Sequence, residues 1–285
     1  MEKDIQGAGP PTEIFEEPGN CPASYVILSH CWERGEVELV EMRQLTSMDE
    51  PNRNQVRQRA GYNKIIKSCE QAMKDGCTRI WIDTCCIDRQ NQFEFEGAIN
   101  SMYQWYHKSQ KCYAYLSDVE DSFPARQDFH KYDKTNGWPA WFSRGWTLQE
   151  LIAPKQVEFF NKDWVYIGDK ESLAKTLEII TRIPVEVLKK GRIPRHFCAA
   201  QIMSWAADRK TTWVEDRAYS LIGLFDVYLP KLYGVGKNAF QELQVKIIEK
   251  YKDQSIFAWN PKGQFGKLGG VLADDPSYFR GCQDI

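Results

Sequence analysis

The sequence predicts an α/β chain, a mainly parallel sheet flanked by helices with an appended helical layer at its C-terminal end. Two observations carry that expectation. Three short apolar runs, Tyr25 to His30, Arg79 to Asp83 and Cys112 to Leu116, read as buried strands, and the stretches between them have helical spacing. The runs also end alike, in Ser29-His30, in Asp83 and in Ser117-Asp118. Alternation of this kind calls for crossover connections and helices on both faces of a parallel sheet. Such sheets bind ligands outside the carboxyl ends of their strands, so polar residues gather where a site is expected.

The elements follow in order. Residues 1–23, rich in Pro, Gly and Glu and without periodicity, read as an N-terminal arm. After the first strand, Ile65, Ile66, Cys69, Ala72 and Met73 write a helix that Gly76 can stop. Phe95, Ile99, Met102, Tyr103 and Tyr106 write the next. Beyond a loop, Trp146 to Ala153 reads as a short helix ended by Pro154, with Trp146 and Glu150 on one face. Val157 to Phe160 and Trp164 to Ile167 read as two more strands, which close an α/β core over 24–168. Helices are then expected at about 170–181, 197–208, 215–225 and 238–251, with a late strand at Ser255 to Trp259; together they form an extension over 169–285. The last helix carries an apolar stripe of Phe240, Leu243, Ile247, Ile248 and Tyr251, read as core.

Composition narrows the function. The 285 residues hold 37 Lys and Arg against 39 Asp and Glu, so no global field recruits nucleic acid or an anionic membrane. No apolar run approaches the length of a membrane span, and the N-terminus lacks a signal-peptide pattern; the cytoplasm is the expected location. The 9 cysteines read mostly as buried thiols, including the pair Cys85-Cys86. Paired ligands at zinc spacing are missing, so no metal is expected.

Four blocks resemble a known family. Leu28-Ser29-His30-Cys31-Trp32, Trp81 to Asp88, Arg144 to Pro154 and Glu215 to Leu221, in that order, are similar to the fungal heterokaryon incompatibility (HET) domain. Val235, within Tyr233-Gly234-Val235-Gly236, departs from it, because the family often has an acidic residue there. The resemblance implies a death-triggering effector in non-self recognition between fused fungal cells, often joined to a nucleotide-binding regulatory region or repeats. A Walker phosphate loop does not occur in this sequence, so such a region is expected beyond Ile285. The HET domain in turn resembles, distantly, the Toll/interleukin-1 receptor (TIR) homology domain, and Trp146-Thr147-Leu148-Gln149-Glu150-Leu151 is similar to the TIR helix whose Glu supports cleavage of NAD. This implies a TIR-like sheet, NAD as substrate rather than cofactor, activation by self-association, and Glu150 as the catalytic carboxylate.

One carboxylate suffices for that chemistry, because nicotinamide leaves as a neutral molecule and needs no general acid, unlike the leaving oxygen of an ordinary glycoside. Glu150 would stabilise the developing oxocarbenium charge. Trp32 or Trp146 would stack on a flat ring, Arg144 would pair with the diphosphate, and Ser29, His30 and Asp83 would orient hydroxyls. The bland alternatives stay open beside these: Glu150 as a solvent-facing residue or the partner of an Arg, His30 as a strand-end histidine, Asp83 as a cap, Arg144 as a structural bridge, and the tryptophans as packing. A cysteine nucleophile at Cys31 or Cys86 is disfavoured, since neighbours in a strand point to opposite faces. A non-enzymatic, self-associating signalling module is the second functional reading. The enzyme reading requires Glu150, Ser29 and Asp83 to face one cleft.

Overall fold

The computed structural model describes residues 13–14, 24–191, 193, 196–230, 233–259 and 270–285. Two compact units divide the chain. The first comprises Met1–Ala98, Trp105–Phe123 and Pro154–Asp169; the second comprises Ile99–Gln104, Pro124–Ala153 and Lys170–Ile285.

The first unit contains the whole sheet. Its strands are β1 (Glu13–Ile14), β2 (Val26–His30), β3 (Arg79–Trp81), β4 (Lys111–Tyr115), β5 (Val157–Phe160) and β6 (Tyr166–Asp169), in the spatial order β1-β3-β2-β4-β5-β6. All neighbours run parallel except β5 and β6, which are antiparallel. This is the mainly parallel α/β arrangement expected from the alternation. β2 is buried along its whole length, as a central strand covered on both faces must be, so it reads as a continuous apolar run and not as an alternating one.

Between β2 and β3 come α1 (Leu39–Gln44), α2 (Glu50–Arg57) and α3 (Ala60–Lys74), and between β3 and β4 come α4 (Asp83–Cys86) and α5 (Gln92–Lys108). α3 buries Ile65, Cys69 and Ala72 and ends where Gly76 takes a φ of +74°. That positive φ explains the glycine at the expected stop. Tyr106 of α5 donates from its hydroxyl to the Leu28 carbonyl at 3.0 Å, fixing the helix across β2. The chain goes from β2 to β3 on one side and then to β4 on the other. The carboxyl ends of β2 and β4 therefore flank a topological switch point, the place where open α/β sheets bind ligands.

Two details of this unit differ from expectation. Part of the expected arm, Glu13–Ile14, pairs with β3 as an edge strand; the rest of it lies outside the described residues. The last strand begins at Tyr166 and not at Trp164, because Asn161 gathers the chain into a turn. Its side-chain oxygen accepts from the amides of Asp163 and Val165 at 3.0 and 2.9 Å, and Trp164 sits in the left-handed region at φ +59°.

The second unit is helical. It holds α6 (Thr147–Ile152), α7 (Ala174–Thr181), α8 (Val185–Lys190), α9 (Ala199–Ser204), α10 (Asp216–Tyr219) and α11 (Asn238–Tyr251). α11 buries Phe240, Leu243 and Ile247, the expected stripe, while Tyr251 is exposed and its hydroxyl donates to the Phe225 carbonyl. α9 and α10 are shorter than their periodic stretches. After each, backbone bonds switch to three-residue turns, as in Ala206 to Met203 and Leu224 to Leu221. The stretch expected as a late strand is a 3-10 turn, Gln254–Phe257, because the Asp253 carboxylate accepts from the amides of Ser255 and Ala199 and so caps a turn instead of leaving the chain extended. Among the described residues, no helix is long and apolar enough to cross a membrane.

Candidate functional site

The predicted site residues fall into two clusters, one in each unit. The first stands at the carboxyl ends of β2 and β3. Alternation along β2 sends Ser29 and His30 to opposite faces, so His30 joins the cluster and Ser29 lies buried in the sheet opposite Ala114. The His30 ring is wholly buried between two carboxylates, its Nε2 3.7 Å from Glu36 and its Nδ1 3.8 Å from Asp83. Asp83 also accepts from the Trp32 indole N–H at 2.8 Å. Arg89 lies flat on the Trp32 ring, 3.5 Å from its centroid. On the far side of His30, Lys64 of α3 donates to Glu36.

Local sequence explains why these groups meet. Gly61 lets α3 touch the loop after β2, since a Cβ there would lie 2.5 Å from the Gly35 carbonyl oxygen and 2.7 Å from Glu36 Cα. The contact brings Lys64, one turn on, over Glu36. Burial alone would push the Glu36 carboxyl up, but the His30 ring and the Lys64 ammonium outweigh it and hold it down at about 2. Asp83 is the first residue of α4 and spends its side chain on Trp32, so the cap reading does not hold.

This cluster keeps hydrogen-bonding capacity in reserve. Both His30 nitrogens, Glu36 Oε2 and Asp83 Oδ1 are buried with no hydrogen-bond partner among the described residues. Buried polar atoms are nearly always satisfied, so such a concentration at the carboxyl ends of two parallel strands marks a place suited to a polar ligand.

The second cluster is built on α6. Every residue of this helix is buried, Glu150 included at 5% exposure, which removes the solvent-facing alternative. The charge of Glu150 acts on the buried Arg209. The Arg209 guanidinium donates through Nη1 to the Arg144 carbonyl and to Thr147 Oγ1, both at 2.9 Å, and through Nε to the Trp205 carbonyl at 3.3 Å. Thr147 in turn donates to the Trp141 carbonyl at 2.6 Å. Burial pulls Arg209 down to about 9, and the Glu150 carboxylate pulls the other way. Arg144 takes part through its carbonyl, and Trp146, half-buried, precedes the helix. Gly145 makes the assembly possible: its amide donates to the Lys210 carbonyl at 2.8 Å, and a Cβ there would lie 2.4 Å from Thr211 Cγ2.

Sequence reasoning missed Glu36, Lys64, Arg89 and Arg209. A signal existed for Lys64, a lysine on the buried stripe of an amphipathic helix between Gly61 and Ser68. For Arg209 there was none, since it follows a helix in an unremarkable polar stretch. In the loop around Val235, the Gly234 and Gly236 amides donate to Glu215 at 2.7 and 2.9 Å, so the backbone supplies what that loop contributes here.

The cysteines among the described residues are free thiols. Cys85 and Cys86 are buried, the Cys86 sulfur accepts from the Ile82 amide, and its contact together with burial pushes the Cys85 thiol well up. A reactive thiolate is the opposite case. Among the described residues, no three His, Cys, Asp or Glu side chains are grouped to hold a metal ion.

The family profile described as heterokaryon incompatibility protein (HET) matches residues 25–140. The vegetative incompatibility protein HET-E-1 of Podospora anserina is 41% identical over 254 residues, which is 87% of this chain and 18% of that protein. The chain belongs to the HET family. The HET match spans β2 to β4 and so contains the strand-end cluster, while the similarity to HET-E-1 covers most of the chain. No solved structure matches this HET domain.

Proposed function

We propose that this HET domain is the cell-death effector of a fungal non-self recognition protein, acting in the cytoplasm by cleaving the nicotinamide–ribose bond of NAD. The observation that carries the proposal is Glu150, a carboxylate buried on α6 whose charge acts on the buried guanidinium of Arg209. A water-excluded carboxylate stabilises a developing oxocarbenium ion far better than one in bulk solvent, and a neutral leaving group makes a second acid unnecessary. In the other unit, the strand-end cluster of His30 and Asp83 by itself offers buried hydrogen-bonding atoms suited to hydroxyl groups.

The test is nicotinamide release from NAD by the purified chain, at low and high protein concentration, beside Glu150→Gln. Expected is release by the wild type, rising more than linearly with concentration, and a loss of about 10²-fold or more in the variant with its melting transition retained. Equal release by wild type and variant, or none at any concentration, defeats the proposal.

A self-associating signalling module without enzymatic activity is the second reading. It draws on an exposed apolar patch in the second unit, where Trp213 and Val214 are 61% and 57% exposed and Trp213 packs edge-on against Tyr233. Concentration-dependent association without nicotinamide release would favour it.

A further inference from the structure

We infer that His30 is a proton-operated latch between the loop after β2 and helix α4. With both ring nitrogens protonated it ties the two to the end of β2, and as a neutral ring it can tie only one of them. The inference needs neither Glu150 nor the proposed NAD cleavage, and every group it uses lies within the first unit.

The four buried atoms without hydrogen-bond partners at the strand ends are two facing pairs. His30 Nε2 stands 3.7 Å from Glu36 Oε2, and His30 Nδ1 stands 3.8 Å from Asp83 Oδ1. Each gap exceeds the usual N–H···O separation by about 0.8 Å, so a small movement closes either one. The other oxygen of each carboxylate is engaged. Glu36 Oε1 accepts from the Lys64 ammonium and from the Glu33 amide, and Asp83 Oδ2 accepts from the Trp32 indole N–H at 2.8 Å. Both acids are thus held from behind, each with one oxygen left for the ring.

The ring cannot serve both in every form. An ionised carboxylate only accepts, a neutral imidazole carries one N–H, and an imidazolium carries two. Set between two acceptors, the neutral ring closes one bond and turns a lone pair toward the other carboxylate. The doubly protonated ring closes both. Imidazole exchanges this proton between about pH 5 and 8, and Glu36, held down at about 2, stays ionised across that range.

The surrounding charged and titratable groups are committed elsewhere. Lys64 of α3 donates to Glu36, and Arg89 lies on the Trp32 ring. From α5 and β4, the Tyr106 and Tyr115 hydroxyls donate to the Leu28 and Lys162 carbonyls. The proton on His30 therefore decides whether Glu36, with its loop, and Asp83, with α4, are both fastened to β2. The latch closes as pH falls through the histidine range and loosens as it rises. Closing it also engages the same atoms that suit a hydroxyl group, so acidification withdraws them from a ligand.

The experiment follows the His30 ring N–H hydrogens by NMR in the full chain labelled with 15N-histidine, from about pH 5 to about pH 8. Of the 4 histidines, His130 and His196 are exposed, so their ring hydrogens exchange with water, and His107→Gln removes the remaining ambiguity. Expected are two downfield, slowly exchanging ring N–H resonances of His30 at the acid end and one at the alkaline end. One or none at the acid end overturns the inference, as do two at the alkaline end. Asp83→Asn supplies the second arm, because its carbonyl can accept from Trp32 while its NH2 donates to the Nδ1 lone pair of a neutral ring. Expected in this variant is the Nε2–H resonance alone at both ends of the range. Two resonances in the variant mean that Asp83 is not the partner of Nδ1 and overturn the inference. Should Asp83→Asn fail to fold, the wild-type titration decides by itself.

Discussion

Glu36 carries a measurable share of the stability of the first unit. Its carboxyl is held down from 4.5 to about 2 because the His30 ring and the Lys64 ammonium outweigh the burial that would raise it. A displacement of about 2.5 pH units is worth about 3.4 kcal/mol at 1.36 kcal/mol per unit. Glu36 is still in partial contact with solvent, its side chain 11% exposed, so screening halves this to about 1.7 kcal/mol. The sign follows from the direction. A depressed carboxyl stabilises the fold fully above its unfolded value and loses that contribution as pH falls through its folded value. Glu36→Gln should therefore melt about 3–7 °C below the wild type near pH 7. The pH-dependent part of that gap should close as pH falls from about 4.5 toward about 2. Stability at each pH is read by thermal unfolding with circular dichroism. A gap as wide at about pH 3 as at about pH 7, or no gap at neutral pH, refutes the reasoning.

Two further substitutions probe the same architecture. Trp32→Phe keeps a ring beneath Arg89 but removes the indole N–H donated to Asp83 at 2.8 Å, and should cost about 1.5–3 kcal/mol in chemical denaturation; an unchanged midpoint would mean that the bond contributes nothing. Gly145→Ala should cost about 1–3 kcal/mol, since its Cβ would lie 2.4 Å from Thr211 Cγ2. Adding Thr211→Ser deletes that methyl, keeps a hydroxyl for the Trp213 carbonyl, and should restore at least half of the loss; no recovery would place the strain elsewhere.

Much of the sheet was legible because a buried parallel strand must be apolar along its length, and Tyr25 to Leu28, Ile80 to Ile82 and Cys112 to Leu116 have few alternatives. Helix α3 was legible for a related reason: its buried stripe and its Gly76 stop are both local. What escaped depends on side chains bonding out of sequence order. Asn161 delays β6, and Asp253 converts an expected strand into a turn; in each case one polar side chain accepts two backbone amides and outbids an apolar pattern. The site divides similarly. His30, Trp32 and Asp83 could be named because they stand at strand ends, where position alone makes a polar residue conspicuous. Glu36 and Arg209 acquire their roles only through tertiary contact, and no spacing announces it, whereas Lys64 shows itself only as a lysine on the buried stripe of α3.

Both clusters rest on one physical device. Each places a charge where water is scarce, and each does so through a glycine that admits another segment's backbone: Gly61 beneath the 35–36 loop and Gly145 against Lys210 and Thr211. A buried charge is expensive unless its partner is held in place, and a partner on a floppy segment would give back in conformational entropy what it gained in Coulomb energy. Close backbone approach removes that freedom before the charges meet. Lys64 is then delivered by a helix already pressed onto the Glu36 loop, and Arg209 by a chain already bonded to the start of α6. In both clusters the glycine is as specific a requirement as the charge, because any side chain there moves the backbone that aims the cation. The blocks around His30 and Glu150 therefore owe their sequences to placement as much as to chemistry.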